Sequence, residues 1–595
     1  MADVLFKKVD YTLKKLIEDI DVGEIGLPDI QRPFVWPTSR VRDLFDSMYR
    51  GYPIGYLLFW ENGYPGEHRA IGANQKQKVP RLLVVDGQQR LTSLYAVIKA
   101  VPVIGKDFSP RRIRIAFHPQ EQRFEVTNPA IERDAAWISD ISELWKPNTN
   151  TFTFVNEFLK RIKEDREVSE DKKNDIANAI TRLEKLLDYP LTTLEVSSSV
   201  DEDQVAEIFV RINSKGTPLN QADFILTLMS VFWDEGRAEL EEFCRQAKRP
   251  PADKLPSPYN HYLRPNPDQV LRVSVALGFR RARLEHVYSL LRGKDLQTRQ
   301  FSVEQRERQF AVLREAQAYV LDLQNWQEFF KVLKRAGYPS EQHISSQMAV
   351  LYTYALWLIG KRDFDVEPYR LREVIARWFF MAALTGRYTD SPETRMEQDL
   401  ALLRSINSAE AFEKILDQQI DAVLTRDYWE VTLPNELETA AARNTGQFAY
   451  YASLCLIGAR VLYSKLNVSD LLDPSIKGKR AALERHHLFP RSYLQRIGIR
   501  ERRLINQVAN YALVESSDNI AISDRAPRDY VPELEKRFTS DELRQMYTWH
   551  ALPDGWYEMD YATFLEERRK RIAEVIRSGF DQLKRDRTGR DPELE

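Results

Sequence analysis

A chain of 595 residues, 43% hydrophobic and 29% charged, is long enough for two to four domains with full cores, which excludes a disordered or fibrous polypeptide. Its 86 Lys and Arg against 88 Asp and Glu leave a formal net charge of −2, so no global basic excess announces nucleic acid. Cys244 and Cys455 are far apart in sequence and neither belongs to a Cys-x-x-Cys pair, so neither a disulfide framework nor a cysteine-ligated zinc site is indicated. With no signal-peptide layout and no apolar run of about eighteen residues, a cytoplasmic protein with no membrane segment is expected.

Residues 10 to 30 alternate short helical and extended pieces and lead into Leu27-Pro28-Asp29-Ile30-Gln31-Arg32-Pro33-Phe34-Val35-Trp36-Pro37. Prolines flanking aromatics make a stiff loop that presents Gln31 and Arg32 outward. Thr38 is expected to cap a helix with Val41, Leu44, Phe45 and Met48 on one face, ended by Gly51, and Ile54 to Trp60 reads as a strand.

The stretch Arg81 to Leu94 reads as a buried strand, a tight Asp86-Gly87 turn and a helix from Gln88 with Leu91, Leu94, Tyr95 and Ile98 inward. A strand, a glycine turn and a helix N-terminus aim backbone N–H groups at an anion. Arg90 adds a fork for phosphate and Asp86 a group to hold a cation or orient a water. Such units are also commonly structural.

A basic strand is expected at Arg111 to Phe117, two charged helices between 153 and 187, and a strand from Leu191 to Val196. Helix 201 to 211 then runs into Arg211-Ile212-Asn213-Ser214-Lys215-Gly216-Thr217, with Asn220 and Asp223 capping the next helix. No Gly-x-x-x-x-Gly-Lys-Ser/Thr occurs, so any nucleotide hydrolysis is not of Walker type.

Six prolines from Pro250 to Pro267 mark a boundary or an ordered loop. Beyond them Val270 to Leu291, Val303 to Leu333, Ser345 to Ile359 and Pro368 to Leu384 carry helical periodicity, and Arg387 in a Gly386-Arg387-Tyr388 turn is placed to reach a phosphate.

Near the C-terminus stands the chain's one adjacent histidine pair, Arg485-His486-His487-Leu488-Phe489-Pro490, followed by Asn510 and Asn519. Side by side on an extended segment, two imidazoles point in opposite directions. One is then free to ligate a cation while the other activates a water, the division of labour that phosphodiester hydrolysis needs. Asn510 has an amide with which to hold the base or its loop, and Asn519, beginning a short helix, an oxygen for the metal. From Lys477 to Arg503 nine basic residues, among them Arg485, Arg491 and Arg500, face only Glu484 and Glu501, as phosphate contact requires. A last helix is expected from Tyr561 to Leu583, carrying Arg568, Arg569, Lys570 and Arg571.

His-His-x-Phe-Pro with an Asn about twenty residues on and another nine later resembles the HNH, or ββα-metal, nuclease domain of GmrSD-type modification-dependent restriction enzymes. Asp86-Gly87-Gln88-Gln89-Arg90-Leu91-Thr92-Ser93 and Gln31-Arg32-Pro33-Phe34-Val35-Trp36 resemble the motifs of that family's N-terminal domain, which has a ParB/sulfiredoxin-like core. The resemblance implies that His486 and Asn519 are metal ligands, His487 the general base and Asn510 the central Asn. It also implies that Asp86, Gly87, Gln88, Gln89, Arg90 and Thr92 bind a nucleotide with Gln31, Arg32, Arg211 and Asn213. Many HNH sites carry an acid where this chain has His486 and a histidine where it has Asn519.

The expected fold is α+β and predominantly helical: a sensor domain over 1–235, a helical region over 236–440 and an HNH domain over 441–595. The expected function is an anti-phage type IV restriction endonuclease acting on modified double-stranded DNA, with Mg2+ or Mn2+ and an NTP such as GTP or ATP. A homodimer is left open. The alternative is a nucleotide-gated DNA-binding regulator whose HNH domain clamps DNA without cutting it.

Overall fold

Strands Phe6–Thr12 (β1), Ile25–Pro28 (β2), Leu57–Glu61 (β3), His68–Arg69 (β4) and Leu82–Asp86 (β5) open the computed structural model of this chain. Two short ribbons follow, Val103–Ile104 (β6) with Pro110–Arg111 (β7) and Ile115–His118 (β8) with Arg123–Val126 (β9), and then Pro190–Val196 (β10). The structure describes residues 5–28, 34, 36–61, 68–69, 80–104, 110–165, 169–200, 204, 208, 221–251, 255–294, 302–441, 443–472, 474 and 483–585. Gln31, Arg32, Arg211 and Asn213 therefore lie outside the described residues, as does most of the 201–220 segment. Two units emerge, Met1–Glu239 and Leu240–Glu595.

In the first unit six strands form one mixed sheet in the order β1-β10-β3-β5-β2-β4. The β10–β3 and β5–β2 pairs are parallel and the others antiparallel. Side chains alternate along a strand, and here both faces are covered. Leu57, Phe59, Leu82 and Val84 join a core with helices Leu13–Asp21 (α1), Thr38–Tyr49 (α2) and Gln88–Ile98 (α3). Leu58, Trp60, Leu83 and Val85 pack with Val196 and Val200 on the opposite side. That double burial explains the unbroken apolar run before Asp86.

Several boundaries differ from the sequence expectation. Pro37, extended at φ −65° and ψ 148°, is the cap residue of α2 and Thr38 is its first helical residue, with no side-chain cap. The expected strand at Arg111–Phe117 is divided between β7 and β8, because 112–114 bridge two separate ribbons.

The second unit is helical around a buried pair, Gln347–Arg362 and Pro368–Leu384. Residues 349–360 of the former are all buried, so it is apolar all round and needs neighbours on every side. The expected single helix from Val270 to Leu291 is two, Pro267–Phe279 and Leu284–Leu291, interrupted where Arg280 turns left-handed at φ 54°. Val303 to Leu333 likewise divides at Asp322, whose carboxylate accepts from the Gln324 N–H at 2.8 Å and caps Leu323–Arg335. Asp399 accepts hydrogen bonds from Arg387 and from the Tyr388 hydroxyl, the latter at 2.6 Å. Arg387 and Asp399 are both buried side chains, so Arg387 is a strut of the scaffold rather than a surface phosphate contact. Among the described residues no helix is long and apolar enough to cross a membrane.

The C-terminal elements are a hairpin-like pair of strands, Leu483–His487 (β11) and Tyr511–Glu515 (β12), then a helix Ser516–Ile522. The long helix Tyr561–Arg585 packs on Thr445–Leu456 so closely that a Cβ on Gly579 would stand 2.5 Å from the Ser453 side chain.

Candidate functional site

Strand β11 is short, and every residue in it is paired: Leu483 to His487 run antiparallel against Glu515 to Tyr511. The pleat sends Glu484 and His486 to one face and Arg485 and His487 to the other. The helix Ser516–Ile522 begins directly after β12, so Asn519 lies in it as the fourth residue rather than at its start.

On the first face, the Asn519 amide nitrogen donates to the Glu484 carboxylate. That orients the amide, and its Oδ1 then accepts from His486 Nδ1 at 2.6 Å. His486 is 4% exposed, its Nε2 has no hydrogen-bond partner, and burial pushes its pKa down to about 4. The imidazole is thus neutral near pH 7, with one lone pair left unused. The orphaned Nε2 is a buried acceptor that a divalent cation of the Mg2+ or Mn2+ class would satisfy, whereas Asn519 Oδ1 faces Nδ1 on the other edge of the ring and would join the same cation only by giving up that hydrogen bond. Among the described residues no group of three or more His, Cys, Asp or Glu makes a closed cage, so such a cation would rely on water and phosphate oxygens for its remaining ligands.

On the second face, His487 Nε2 lies 3.0 Å from Asn506 Oδ1, which also accepts from the Tyr511 hydroxyl at 3.2 Å. The Tyr511 ring packs on His487 with centroids 4.3 Å apart, and the Arg485 guanidinium sits 4.0 Å over the other ring in contact, Tyr511. Burial first, then the neighbouring Arg485 and Arg491 charges, depress the His487 pKa against the opposing Asn506 bond. The ring is therefore held neutral, as a proton acceptor must be.

Asn510 is fully buried. Its Oδ1 accepts from the Phe489 N–H at 2.9 Å, and its Nδ2 donates to the Phe489 and Ile505 carbonyls at 3.1 and 2.9 Å. It clamps the turn after His487, and these hydrogen bonds go to backbone groups rather than to either imidazole. Arg485 is exposed and donates to Gln447 Oε1 at 3.2 Å. Arg491, Arg500, Arg502 and Arg503 are exposed and enter none of the ion pairs among the described residues, whereas Arg496 pairs with Asp524 at 2.6 Å. Lys477, Lys479 and Arg480 lie outside the described residues.

In the first unit, β5 ends at Asp86 and Gly87, at φ 92°, is the cap residue of α3. Arg90 donates from Nη1 to the Ile54 carbonyl at 2.6 Å and from Nη2 to the Tyr56 carbonyl at 2.8 Å and to Asp86 at 3.2 Å. A Cβ on Gly55 would stand 2.4 Å from Arg90 Nη1, and one on Gly87 3.2 Å from Nη2, so two glycines make the cradle for this guanidinium. The fork expected to face phosphate is spent on the wall of the turn. Gln89 is buried, Gln88 and Thr92 are half-buried, and Thr92 Oγ1 has no hydrogen-bond partner.

Residues 13–230 match the family model of the GmrSD restriction endonuclease, N-terminal domain. The match lies within the first unit and contains both the Asp86 turn and the Gln31-Arg32 stretch. Across the chain there is a relative in Methanocaldococcus jannaschii, the uncharacterized protein MJ0686, 22% identical with 95% of this chain and 98% of the relative covered. The GmrSD match thus supports a restriction-endonuclease type of N-terminal domain and leaves the second unit to be read from its own geometry.

The structure brings His486, Asn519 and Glu484 together, and His487 with Asn506 and Tyr511. Sequence reasoning missed the roles of Glu484, Asn506 and Tyr511. Glu484 had a signal, since its spacing from His486 puts both on one strand face. Asn506 had none, because it sits in a turn whose path is set by tertiary contacts.

Proposed function

We propose that this chain is a metal-dependent DNA endonuclease of the modification-dependent restriction type, with its nuclease centre on β11. The observation that carries the reading is the placement of His486 with Asn519 on one face of that strand and of His487 on the other, within a strand–strand–helix unit. The GmrSD match supports DNA as the substrate class. Phage DNA modified on its bases or its backbone is the proposed target, and a ββα-metal unit in the second half and a ParB/sulfiredoxin-like core in the first are part of this proposal.

His486 and Asn519 would hold a divalent cation, which when bound supplies Lewis-acid stabilisation of charge on the phosphate and the leaving oxygen. His487 takes a proton from water as the water oxygen bonds to phosphorus. The phosphorus–oxygen bond to the leaving sugar breaks, and the leaving oxygen is protonated from solvent. Asn510 keeps the turn after His487 in place, and Arg491 and Arg500 hold the strand by its phosphates.

The turn at Asp86, Gly87, Gln88, Gln89 and Thr92 is proposed to bind an NTP, with Gln31, Arg32, Arg211 and Asn213 completing it and Arg90 bracing its wall. Asp86→Ala is then expected to lower nucleotide turnover with the fold intact. The experiment that tests the whole reading is cleavage of matched phage DNAs, unmodified, glucosyl-hydroxymethylated and phosphorothioated, with Mg2+ or Mn2+, with and without NTP, wild type beside His487→Ala. Cutting of a modified DNA, lost in the variant while DNA binding is kept, is expected. No cutting under any condition, with nucleotide turnover intact and DNA binding unchanged in chelator, would favour a nucleotide-gated binding protein.

A further inference from the structure

Asn506 Oδ1 receives two hydrogen-bond partners, His487 Nε2 at 3.0 Å and the Tyr511 hydroxyl at 3.2 Å. An amide oxygen only accepts, so the imidazole nitrogen facing it carries the proton. Tyr511 is the register partner of His487 across the hairpin and its ring lies against the imidazole at 4.3 Å, so one residue both stacks on the base and helps to orient its acceptor. Tyr511 is in turn fixed from the Arg485 side at 4.0 Å, and Arg485 donates to Gln447, whose Nε2 donates to the Tyr451 hydroxyl at 2.8 Å. The chain of contacts ends in the buried helix Thr445–Leu456.

We propose that Asn506 and Tyr511 are positioning residues that lock His487 in the Nε2–H tautomer and leave Nδ1 as the nitrogen that takes the proton from water. This rests on the reading of His487 as general base. Neither residue touches substrate: Asn506 acts through the proton it fixes, in the way an acceptor behind a catalytic histidine sets which nitrogen is basic.

The test uses the full chain with 15N-labelled histidine and long-range proton–nitrogen correlation, the His487 signals being assigned with His487→Gln. Wild type is expected to show a protonated Nε2 and a bare Nδ1, without DNA or metal. Asn506→Leu is expected to lose the single tautomer and to lower kcat on a cleavable DNA by about 10- to 100-fold with KM unchanged. Asn506→Asp, which keeps an acceptor oxygen, is expected to keep the tautomer and most of the activity, and decides the matter if the leucine variant does not fold. A protonated Nδ1 in wild type, or an unchanged His487 tautomer in a folded Asn506→Leu, would overturn the proposal. Absence of cleavage by wild type would overturn the nuclease reading alone, because the tautomer is read without catalysis.

Discussion

Arg568, fully buried on the helix Tyr561–Arg585, donates from Nη1 to the carbonyl oxygen of Ala509 over 2.6 Å, one residue before the clamp Asn510. Its Nε and Nη2 donate to the His550 carbonyl at 3.3 and 3.1 Å. The basic run on this helix therefore includes one residue that faces inward and ties the site's turn to the C-terminal helix. Arg568→Met is expected to keep the packing volume but leave two buried carbonyls without a donor, costing about 3 kcal/mol. Thermal unfolding would check it; a variant as stable as wild type would mean the two carbonyls find other donors.

The Glu484 carboxylate is what turns the Asn519 amide oxygen toward His486. Glu484→Ala is expected to weaken Mn2+ binding by about 10-fold, as loss of groups that orient ligands generally does. Mn2+ titration followed by electron paramagnetic resonance measures it directly. Equal affinity in the variant would show that Asn519 holds its orientation without the carboxylate.

His550 is fully buried, donates from Nε2 to the Arg460 carbonyl at 2.9 Å, and has no partner for Nδ1. Burial lowers its pKa from 6.5 to about 4, and His343 is lowered likewise. A histidine whose folded pKa is depressed contributes stability that is full above the unfolded value and is lost as pH falls from 6.5 toward 4. The contribution from His550 is on the order of 3 kcal/mol. Denaturant midpoints are expected to fall across that window and the slope to flatten in His550→Gln. A midpoint that stays level between the two pH values would contradict it.

Gly87 and Gly51 both have positive φ, at 92° and 75°, yet their surroundings differ. A Cβ on Gly87 would stand 2.3 Å from Leu57 Cδ2, whereas Gly51 has nothing within 4 Å. Gly51→Ala is expected to cost about 1 kcal/mol from backbone strain alone. Gly87→Ala adds a clash within the Arg90 cradle and is expected to cost about 3 kcal/mol. Unfolding of the two variants side by side gives the order, and equal stabilities would mean that Leu57 and Arg90 shift aside.

Local pattern was enough for some features and not for others. The run Leu82 to Asp86 is a strand because four apolar residues before a glycine turn have few other ways to be buried, and Pro368–Leu384 matches its expected bounds because proline starts the helix and apolar periodicity sustains it. Opposed imidazoles at His486 and His487 follow from the pleat alone. The breaks at Arg280 and Asp322 were not legible, since apolar periodicity continues across them and only the packing of neighbouring helices selects a bend.

What the sequence by itself determined is therefore what depends on near neighbours: apolar faces, turns, and the residue types at the histidine pair. Tertiary structure decided which partners those residues meet. Glu484 and Asn519 are separated by 35 residues, His487 and Asn506 by 19, and Arg568 and Ala509 by 59. Arg90 and Arg387 read in sequence as phosphate contacts, yet each donates to groups supplied by other elements. A guanidinium has the same chemistry in either setting; whether it faces solvent or buried oxygen acceptors is settled only when the chain closes around it.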